Sequence, residues 1–337
     1  MPKEFSRRRP RCSGDPALET ARSGHSLIGR TARPYTHHRK ATMTTLHLSD
    51  LDGTLLGPDE RLSSKTSDVV TQFVRCGGLF SFATARSLVT AQKVTAGLPL
   101  DLPAIVYNGV FILRTEPREV LYSSGFSEAD AHYLRTMLTR LGVRPIVYSL
   151  IGGVEKFSFD PAHASAGMRS FLDGRRDDIR RRPVDDLDAL YEGDAFYVSC
   201  IGDGSELEPV RDLFAGDSRF SCIYQRDIYS GAPWCELMPA GASKATAALR
   251  LKDLLGCDRL VSFGDGANDL ALFAVSDECY AVENAVPELR AIATGVIGSN
   301  ADDGVARWLE ARLDEQVAQR SSAEVALTRR GSERPAG

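Results

Sequence analysis

The first part of the chain alternates short apolar runs with amphipathic segments. Apolar runs at 46–48, 79–83 and 104–107 each end at polar or small residues, which predicts three short buried strands. The segments 63–76 and 88–96 have the apolar spacing of a helix with one buried face. Because strands that alternate with helices form parallel sheets, this region predicts an α/β core.

The same alternation returns in the last third of the chain. Its pattern predicts helices and strands in turn, at 243–255, 260–263, 270–276, 279–282, 287–293 and 303–313. We therefore expect both ends of the chain to contribute strands to one parallel sheet.

The middle of the chain has a different rhythm, with helices followed by adjacent pairs of strands. Helices are predicted at 127–141, 161–173 and 205–214, and strands at 143–149, 153–159, 195–201, 219–225 and 234–238. Paired neighbouring strands favour antiparallel hydrogen bonding, so an α+β unit is expected here. The charged stretch 173–186 is expected to be a solvated loop, with a basic patch that faces an anionic substrate as the alternative.

These rhythms predict a discontinuous core domain at 43–114 and 233–315, with a cap domain at 115–232 inserted into it. The N-terminal extension 1–42 and the polar tail 316–337 show no hydrophobic periodicity, so both are expected to be disordered.

Charge is distributed unevenly along the chain of 337 residues, whose formal net charge is −4. Residues 1–42 contain ten Lys or Arg against three Asp or Glu, so the remainder is acidic. An acidic body argues against nucleic acid as a partner. An organelle transit peptide and a nucleic-acid contact are alternatives to disorder for the extension, and translation from Met43 is a further one.

Composition favours a protein of the cytoplasm. There is no run of 18 apolar residues, so no membrane span is expected. The seven cysteines are scattered and form no CxxC pair, which indicates neither a zinc site nor a disulfide framework. Nothing in the sequence indicates the oligomeric state.

Two carboxylates follow the first predicted strand in the stretch HLSDLDGTLL, at Asp50 and Asp52. Like charges so close raise each other's pKa, so such a pair is costly unless it binds a cation or takes part in chemistry. An EF-hand loop is excluded, because Gly53 comes too early and the twelfth position is Arg61.

Polar side chains also stand at other strand ends and helix starts of the parallel region: Thr84, Asn108, Lys244, Asp265, Asn268 and Asp269. Ligands of open parallel sheets bind beyond the carboxyl ends of the strands, so these side chains are expected to meet at one site.

The order DxDGT, Thr, Lys and GDGAND resembles the haloacid dehalogenase (HAD) superfamily of phosphohydrolases. By this resemblance Asp50 is the nucleophile that forms an aspartyl-phosphate, and Asp52 is the general acid and base. Thr84 donates to a phosphoryl oxygen, and Lys244 neutralises the nucleophile and the phosphate.

The resemblance also implies a Mg²⁺ cofactor and a set of contacts to the substrate. The expected metal residues are Asp50, Asp52 through its backbone carbonyl, Asp265 and Asp269. The expected substrate-binding residues are Thr84, Arg86, Asn108, Lys244 and Asn268.

The 159 residues between Thr84 and Lys244 leave room for a whole domain, a placement that resembles the Cof-like hydrolases with a C2B-type cap. Further phrases agree, among them YNGVFIL, GDGANDLALF and AVENAVPELRAIA. Two positions depart from that pattern, because Ala85 stands where relatives often have Gly, and so does Glu283. The implied fold is a Rossmann-like parallel sheet flanked by helices, with an inserted α+β cap.

The expected function is Mg²⁺-dependent hydrolysis of small phosphorylated metabolites, with sugar phosphates as the expected class. Dehalogenases of the superfamily lack an acid at the position of Asp52, so a haloacid substrate is disfavoured. A phosphosugar mutase of the same cap class and a non-catalytic phosphosugar-binding regulator are the alternatives.

Overall fold

The computed structural model describes residues 43–99, 101–115, 117–227 and 230–313. Fourteen strands lie in these ranges: β1 Thr45–Ser49, β2 Leu79–Phe82, β3 Ala104–Val106, β4 Phe111–Arg114, β5 Glu119–Ser123, β6 Ile146–Ile151, β7 Val154–Phe159, β8 Arg181–Pro183, β9 Asp194–Ile201, β10 Phe220–Arg226, β11 Pro233–Pro239, β12 Arg259–Gly264, β13 Glu278–Val282 and β14 Gly295–Ile297. The helices of the same ranges are α1 Ser64–Arg75, α2 Leu88–Val94, α3 Glu128–Arg140, α4 Ala166–Asp173, α5 Leu187–Leu190, α6 Gly204–Phe214, α7 Lys244–Leu255, α8 Leu270–Val275, α9 Pro287–Ile292 and α10 304–313. The predicted extension 1–42 and tail 316–337 lie outside the described residues.

A five-stranded parallel sheet joins the two ends of the described chain, in the order β14-β13-β12-β1-β2. Strand β1 shows how it is buried on both faces. Leu46 and Leu48 pack with α7, whereas the ring of His47 meets Phe73 of α1 at 4.9 Å and Trp308 of α10 at 5.9 Å. Both faces are therefore covered by helices, as a parallel sheet requires.

The second sheet has six strands in the order β10-β11-β9-β6-β7-β8 and is antiparallel except for the pair β7–β8. Helices α3 and α6 cover one face through an apolar cluster that includes Leu134, Leu138 and Phe214. We call this sheet with helices α3–α6 the inserted unit. The predicted fold class, a parallel sheet flanked by helices with an inserted antiparallel α+β unit, is confirmed.

The sheets change at other points than the predicted domain boundaries at 114/115 and 232/233. Strand β5 lies beyond residue 114 but pairs with β4 in a third, three-stranded sheet with β3. Strand β11 begins at Pro233 but hydrogen-bonds to β9 and β10 on its two sides, so its whole backbone ladder lies in the inserted unit. Sheet membership thus groups β5 with β4 and β11 with the inserted unit, whereas the domain boundaries themselves stay a prediction.

The charged stretch 173–186 is not a simple solvated loop. It contains β8, which pairs with β7 as a parallel strand, and the side chain of Arg180 is buried. That burial is compensated, because Arg180 forms ion pairs with Asp178 and Glu155. The predicted helix 161–173 begins later than expected, at Ala166, because the Ser165 hydroxyl accepts from the backbone N–H of Met168 as N-cap.

Candidate active site

Asp50 follows directly on β1, and its backbone N–H donates to the carbonyl of Phe263 in β12 at 2.9 Å. The ladder of the sheet thus extends to the carboxylate and fixes its position, and the side chain is almost fully buried. Gly53 turns the chain away with φ +72°. A Cβ at this position would lie 2.3 Å from Oδ2 of Asp265, so only glycine lets the two loops approach.

Lys244 is the first residue of α7, whose N-cap is Ser243. Its side chain is only 1% exposed, and Nζ donates to Oδ1 of Asp50 at 2.8 Å and to Oδ1 of Asp269 at 2.7 Å. Burial acts to lower the pKa of Lys244, but the two carboxylates outweigh burial and raise the pKa above its usual range. The lysine is therefore a permanent positive charge between two acids.

The loop after β12 presents two more buried carboxylates. Oδ2 of Asp269 accepts from the backbone N–H groups of Asp265 and Gly266, at 3.1 and 3.2 Å. Oδ1 of Asp265 accepts from the Thr54 hydroxyl at 3.1 Å. Asp269 is thus held on both oxygens by the protein, since Lys244 occupies the other one, and it shapes the loop that carries Asp265.

Asp50, Asp265 and Asp269 each place a carboxylate oxygen within 4.8 Å of the others. Burial raises the pKa of Asp50; the Lys244 charge acts against this rise and the Asp269 charge adds to it. Burial, followed by the Asp269 charge, raises the pKa of Asp265 to about 7. One lysine therefore leaves this cluster short of positive charge, and an all-oxygen donor set of this kind fits a hard divalent cation.

The side chain of Asp52 points to another partner. Its carboxylate binds the Arg86 guanidinium, with Nε to Oδ2 at 2.7 Å and the terminal nitrogen to Oδ1. Arg86 also binds Glu60 at 2.9 Å. The Asp52 carboxylate is thus outside the three-carboxylate cluster, which leaves the expected backbone carbonyl as its only route to a metal.

Thr84 and Asn108 are fully buried next to the cluster rather than exposed in a pocket. The Thr84 hydroxyl accepts from the backbone N–H of Arg86 at 3.1 Å. The Asn108 amide donates to Tyr197 Oη at 3.0 Å and to Glu236 at 3.2 Å, and its carbonyl accepts from Asn268 at 3.2 Å. Both donors of the Asn108 amide are thus bound inside the protein, and its expected role as a substrate contact stays a prediction.

A cavity of about 1090 Å³ lies between the ends of the parallel strands and the inserted unit. Asp50, Asp52, Arg86, Asp265 and Asn268 line it on the parallel-sheet side. The inserted unit contributes charged and small polar residues, and with them six aromatic side chains and one buried carboxylate: Tyr148, Phe157, Phe171, Tyr197, Tyr224, Trp234 and Glu236. Thr84, Asn108 and Lys244 lie behind this wall.

Sequence reasoning did not identify which side chains of the inserted unit face the cavity. Alternation shows that a strand has two faces, but it does not show which face meets the cavity. One signal was available in the sequence: Glu236 is a lone carboxylate in the otherwise apolar run of β11. A buried acid in such a strand indicates a polar partner or a function.

The family model described as haloacid dehalogenase-like hydrolase matches residues 47–309. The chain belongs to this family. It is similar to a 5-amino-6-(5-phospho-D-ribitylamino)uracil phosphatase of Bacillus subtilis, with 24% identity over 80% of this chain and 98% of that one. It is also similar to an HMP-PP phosphatase of an Enterobacter species, with 28% identity over 81% of this chain and 97% of the relative.

Solved structures agree with this assignment. A haloacid dehalogenase-like hydrolase from Bacteroides thetaiotaomicron has a TM-score of 0.65 at 21% identity, covering 79% of this chain and 98% of that one. At such identity the likeness shows the fold. The predicted family is confirmed, and so is the enzyme class, a phosphoric monoester hydrolase of this family, which is the class that the relatives' names state.

Within the described residues, no helix combines the length and apolar character needed to span a membrane. The cytoplasmic location stays a prediction, and so do the roles of the individual site residues.

Proposed function

We propose that the chain is a Mg²⁺-dependent phosphatase that hydrolyses small phosphorylated metabolites through an aspartyl-phosphate on Asp50. One observation carries the proposal: the Asp50 carboxylate lines a metabolite-sized cavity, touches a buried lysine and lies within a cluster of three carboxylates. That combination supplies a nucleophile, a fixed positive charge and oxygen ligands at one point.

In the first step an Asp50 oxygen attacks phosphorus, and the bond from phosphorus to the leaving oxygen breaks. Lys244, in contact with Oδ1 of Asp50, offsets the negative charge that gathers there. A bound Mg²⁺, held by Asp50, Asp265 and the Asp52 carbonyl, would polarise the phosphoryl group and lower the pKa of the carboxylates around it. Asp269 orients Lys244 and the acidic loop.

Asp52 is the proton carrier in this proposal. It lines the cavity and is 24% exposed, so a leaving group can reach it. It gives a proton to the leaving oxygen in the first step and takes one from water in the second. That water attacks phosphorus, the bond from phosphorus to the Asp50 oxygen breaks, and inorganic phosphate leaves, so both carboxyl groups return to their starting state. Arg86 holds Asp52 as its ion-pair partner, so this pair must open or shift for Asp52 to carry a proton.

The shape of the cavity supports a small metabolite with an apolar face. Its volume lies just above the usual range for small-molecule sites, and its wall includes six aromatic rings, from β6, β7, α4, β9, β10 and β11. Such rings pack against the apolar face of a sugar or against a planar heterocycle. Sugar phosphates are the first class proposed, and the relative named for a 5-phospho-D-ribitylamino uracil adds phosphorylated pyrimidines.

The test is phosphate release from a panel of sugar phosphates and phosphorylated pyrimidines, with Mg²⁺ and with chelator. We expect release by the wild type that requires Mg²⁺ and disappears in Asp50→Asn, a nearly isosteric change. Asp212→Asn, at an exposed carboxylate on α6, is the matched control and should keep full activity.

Turnover retained by Asp50→Asn would exclude Asp50 as the nucleophile. A folded wild type that releases no phosphate from any compound would contradict the phosphatase proposal. Transfer of phosphate between two positions of a sugar would then favour the mutase alternative, and tight binding without turnover would favour the regulator.

A further inference from the structure

The cavity wall carries more cations than the proposed chemistry uses. Among the described residues, six cationic side chains line it: Arg86, Lys93, Arg175, Arg176, Arg180 and Arg226. Three of them are neutralised, because Arg86, Arg176 and Arg180 form ion pairs with carboxylates. Lys93 and Arg226 are exposed, so water solvates their charges. Arg175 differs from the other five because its charge is neither paired with a carboxylate in the described part of the chain nor fully exposed to water.

Arg175 is half-buried and is held in place by an aromatic ring instead of a carboxylate. Its guanidinium carbon lies 3.6 Å from the centroid of the Phe171 ring, and one terminal nitrogen donates to the Phe171 carbonyl at 3.1 Å. The Trp234 ring packs edge-on against Phe171, with centroids 5.2 Å apart. No carboxylate of the described residues forms an ion pair with Arg175.

Two of the acids near Arg175 in the sequence are bound to other arginines. Asp173 is bound to Arg176 at 3.0 Å, and Asp178 is bound to Arg180. Burial lowers the pKa of Arg175, and the charges of Arg86 and Arg180 add to this lowering. Tyr148 and Glu60 act against it without cancelling it. Arg175 therefore has its charge partly desolvated and faces other cations, a situation that an anion in the cavity would relieve.

We propose that Arg175 binds a second anionic group of the substrate, a phosphate or a carboxylate, distinct from the phosphoryl group that is hydrolysed. The inference rests on the proposed function, in which the Asp50 site takes the scissile phosphoryl group. Arg175 belongs to the loop after α4, in the inserted unit, whereas Asp50 lies at the end of β1. A substrate that spans the cavity meets both, and stacking on Phe171 leaves the planar guanidinium preset for bidentate binding of an oxyanion.

The experiment compares substrates that differ by one anionic group. Fructose 1,6-bisphosphate is paired with fructose 6-phosphate, and 3-phosphoglycerate with glycerol 3-phosphate, so the two pairs separate phosphate from carboxylate. We measure kcat/KM for the wild type, for Arg175→Met and for Arg176→Met, the adjacent cavity cation that Asp173 already neutralises.

We expect the wild type to prefer the doubly anionic member of at least one pair. In Arg175→Met this preference falls by roughly 10-fold or more, as for loss of a charge-assisted hydrogen bond. Turnover of the singly anionic member should change little, and Arg176→Met should keep the wild-type preference.

A purely structural role for Arg175 predicts a different result. Its bond to the Phe171 carbonyl caps the C-terminus of α4, so loss of the cap alone would lower the melting temperature and affect all four substrates equally. An equal loss on both members of each pair overturns the inference. So does a wild type with no preference in either pair.

Failure of the proposed function gives a separate signature. If the wild type hydrolyses none of the four compounds, the phosphatase proposal fails. The role of Arg175 in anion binding is then tested by calorimetry, which measures the affinity of wild type and Arg175→Met for fructose 1,6-bisphosphate and 3-phosphoglycerate. Binding of either compound that weakens at least about 10-fold in the variant supports the inference. Equal affinities, or no binding of both compounds to the wild type, overturn it.

Discussion

Glu236 offers a quantitative test of how the inserted unit is joined to the segment that follows β3. This residue of β11 is 4% exposed and accepts from the Asn108 amide at 3.2 Å and from the Tyr197 hydroxyl. Burial raises its pKa from 4.5 to about 7, and the two hydrogen bonds act against that rise without cancelling it. Glu236→Gln keeps the shape of the side chain and removes its titration.

The sign of the effect follows from proton binding. Between pH 4.5 and pH 7 the folded chain keeps the Glu236 proton that the unfolded chain has lost, so stability falls as the pH rises through this window. A shift from 4.5 to about 7, at 1.36 kcal/mol for each pKa unit, corresponds to about 3 kcal/mol in all. Most of this, roughly 2.5 kcal/mol, should be lost between pH 5 and pH 8.

The assay is urea denaturation of wild type and Glu236→Gln at pH 5, 6, 7 and 8, with chelator present throughout. Other titrating groups occur in both proteins and cancel in the difference between them. We expect the free energy of unfolding of Glu236→Gln, relative to that of the wild type, to rise by about 2.5 kcal/mol between pH 5 and pH 8. Glu310→Gln, at an exposed acid paired with Lys65 at 2.7 Å, should shift by less than about 0.5 kcal/mol.

A flat difference between wild type and Glu236→Gln across this pH range would refute the reasoning. It would mean that Glu236 is ionised at little cost, and hence that the Asn108 and Tyr197 bonds fully compensate its burial. A difference that grows in the opposite direction would mean that the carboxylate is stabilised by its surroundings, as in a strong ion pair.

Two other substitutions test the site geometry. Gly109→Ala should lower the free energy of unfolding by more than about 2 kcal/mol, because φ is +101° there and a Cβ would lie 2.1 Å from the Ser243 carbonyl oxygen. Urea denaturation measures this loss, with Gly216→Ala as the control, because a Cβ at that position meets nothing within 4 Å. Asp52→Asn should slow hydrolysis about 100-fold or more while Mg²⁺ affinity, measured calorimetrically, changes less than about threefold, because its carboxylate stands outside the acidic cluster. Equal stability of the two glycine variants, or loss of Mg²⁺ binding in Asp52→Asn, would contradict these assignments.

The parallel sheet and the acidic cluster were predictable because their signals are local. Each strand of the core is a short apolar run, and each site residue stands where such a run stops. Since parallel strands end at one edge of the sheet, Asp50 after β1 and Asp265 after β12 had to meet wherever the sheet formed. Lys244 begins α7, after a strand of the inserted unit, so its place came from the family resemblance; the structure puts it in contact with Asp50 and Asp269.

The inserted unit was less predictable because its contacts depend on distant pairings. Strand β11 has the same local pattern whether it joins the parallel sheet or the six-stranded one, and only its partners β9 and β10 decide. Arg175 and Arg180 lie five residues apart in a stretch whose charged composition predicts exposure to solvent. In the structure Arg180 is buried and forms an ion pair with Glu155 of β7, whereas Arg175 stacks on the Phe171 ring.

The amide of Asn108 has a consequence for building chimeras of this family. It bonds to Tyr197 on β9, to Glu236 on β11 and to Asn268 in the acidic loop, and so ties three distant segments together. An inserted unit grafted from a relative must therefore supply acceptors at the positions of Tyr197 and Glu236. Without them the graft leaves the buried Asn108 amide group without acceptors, and the residue whose carbonyl oxygen holds Asn268 loses its own support.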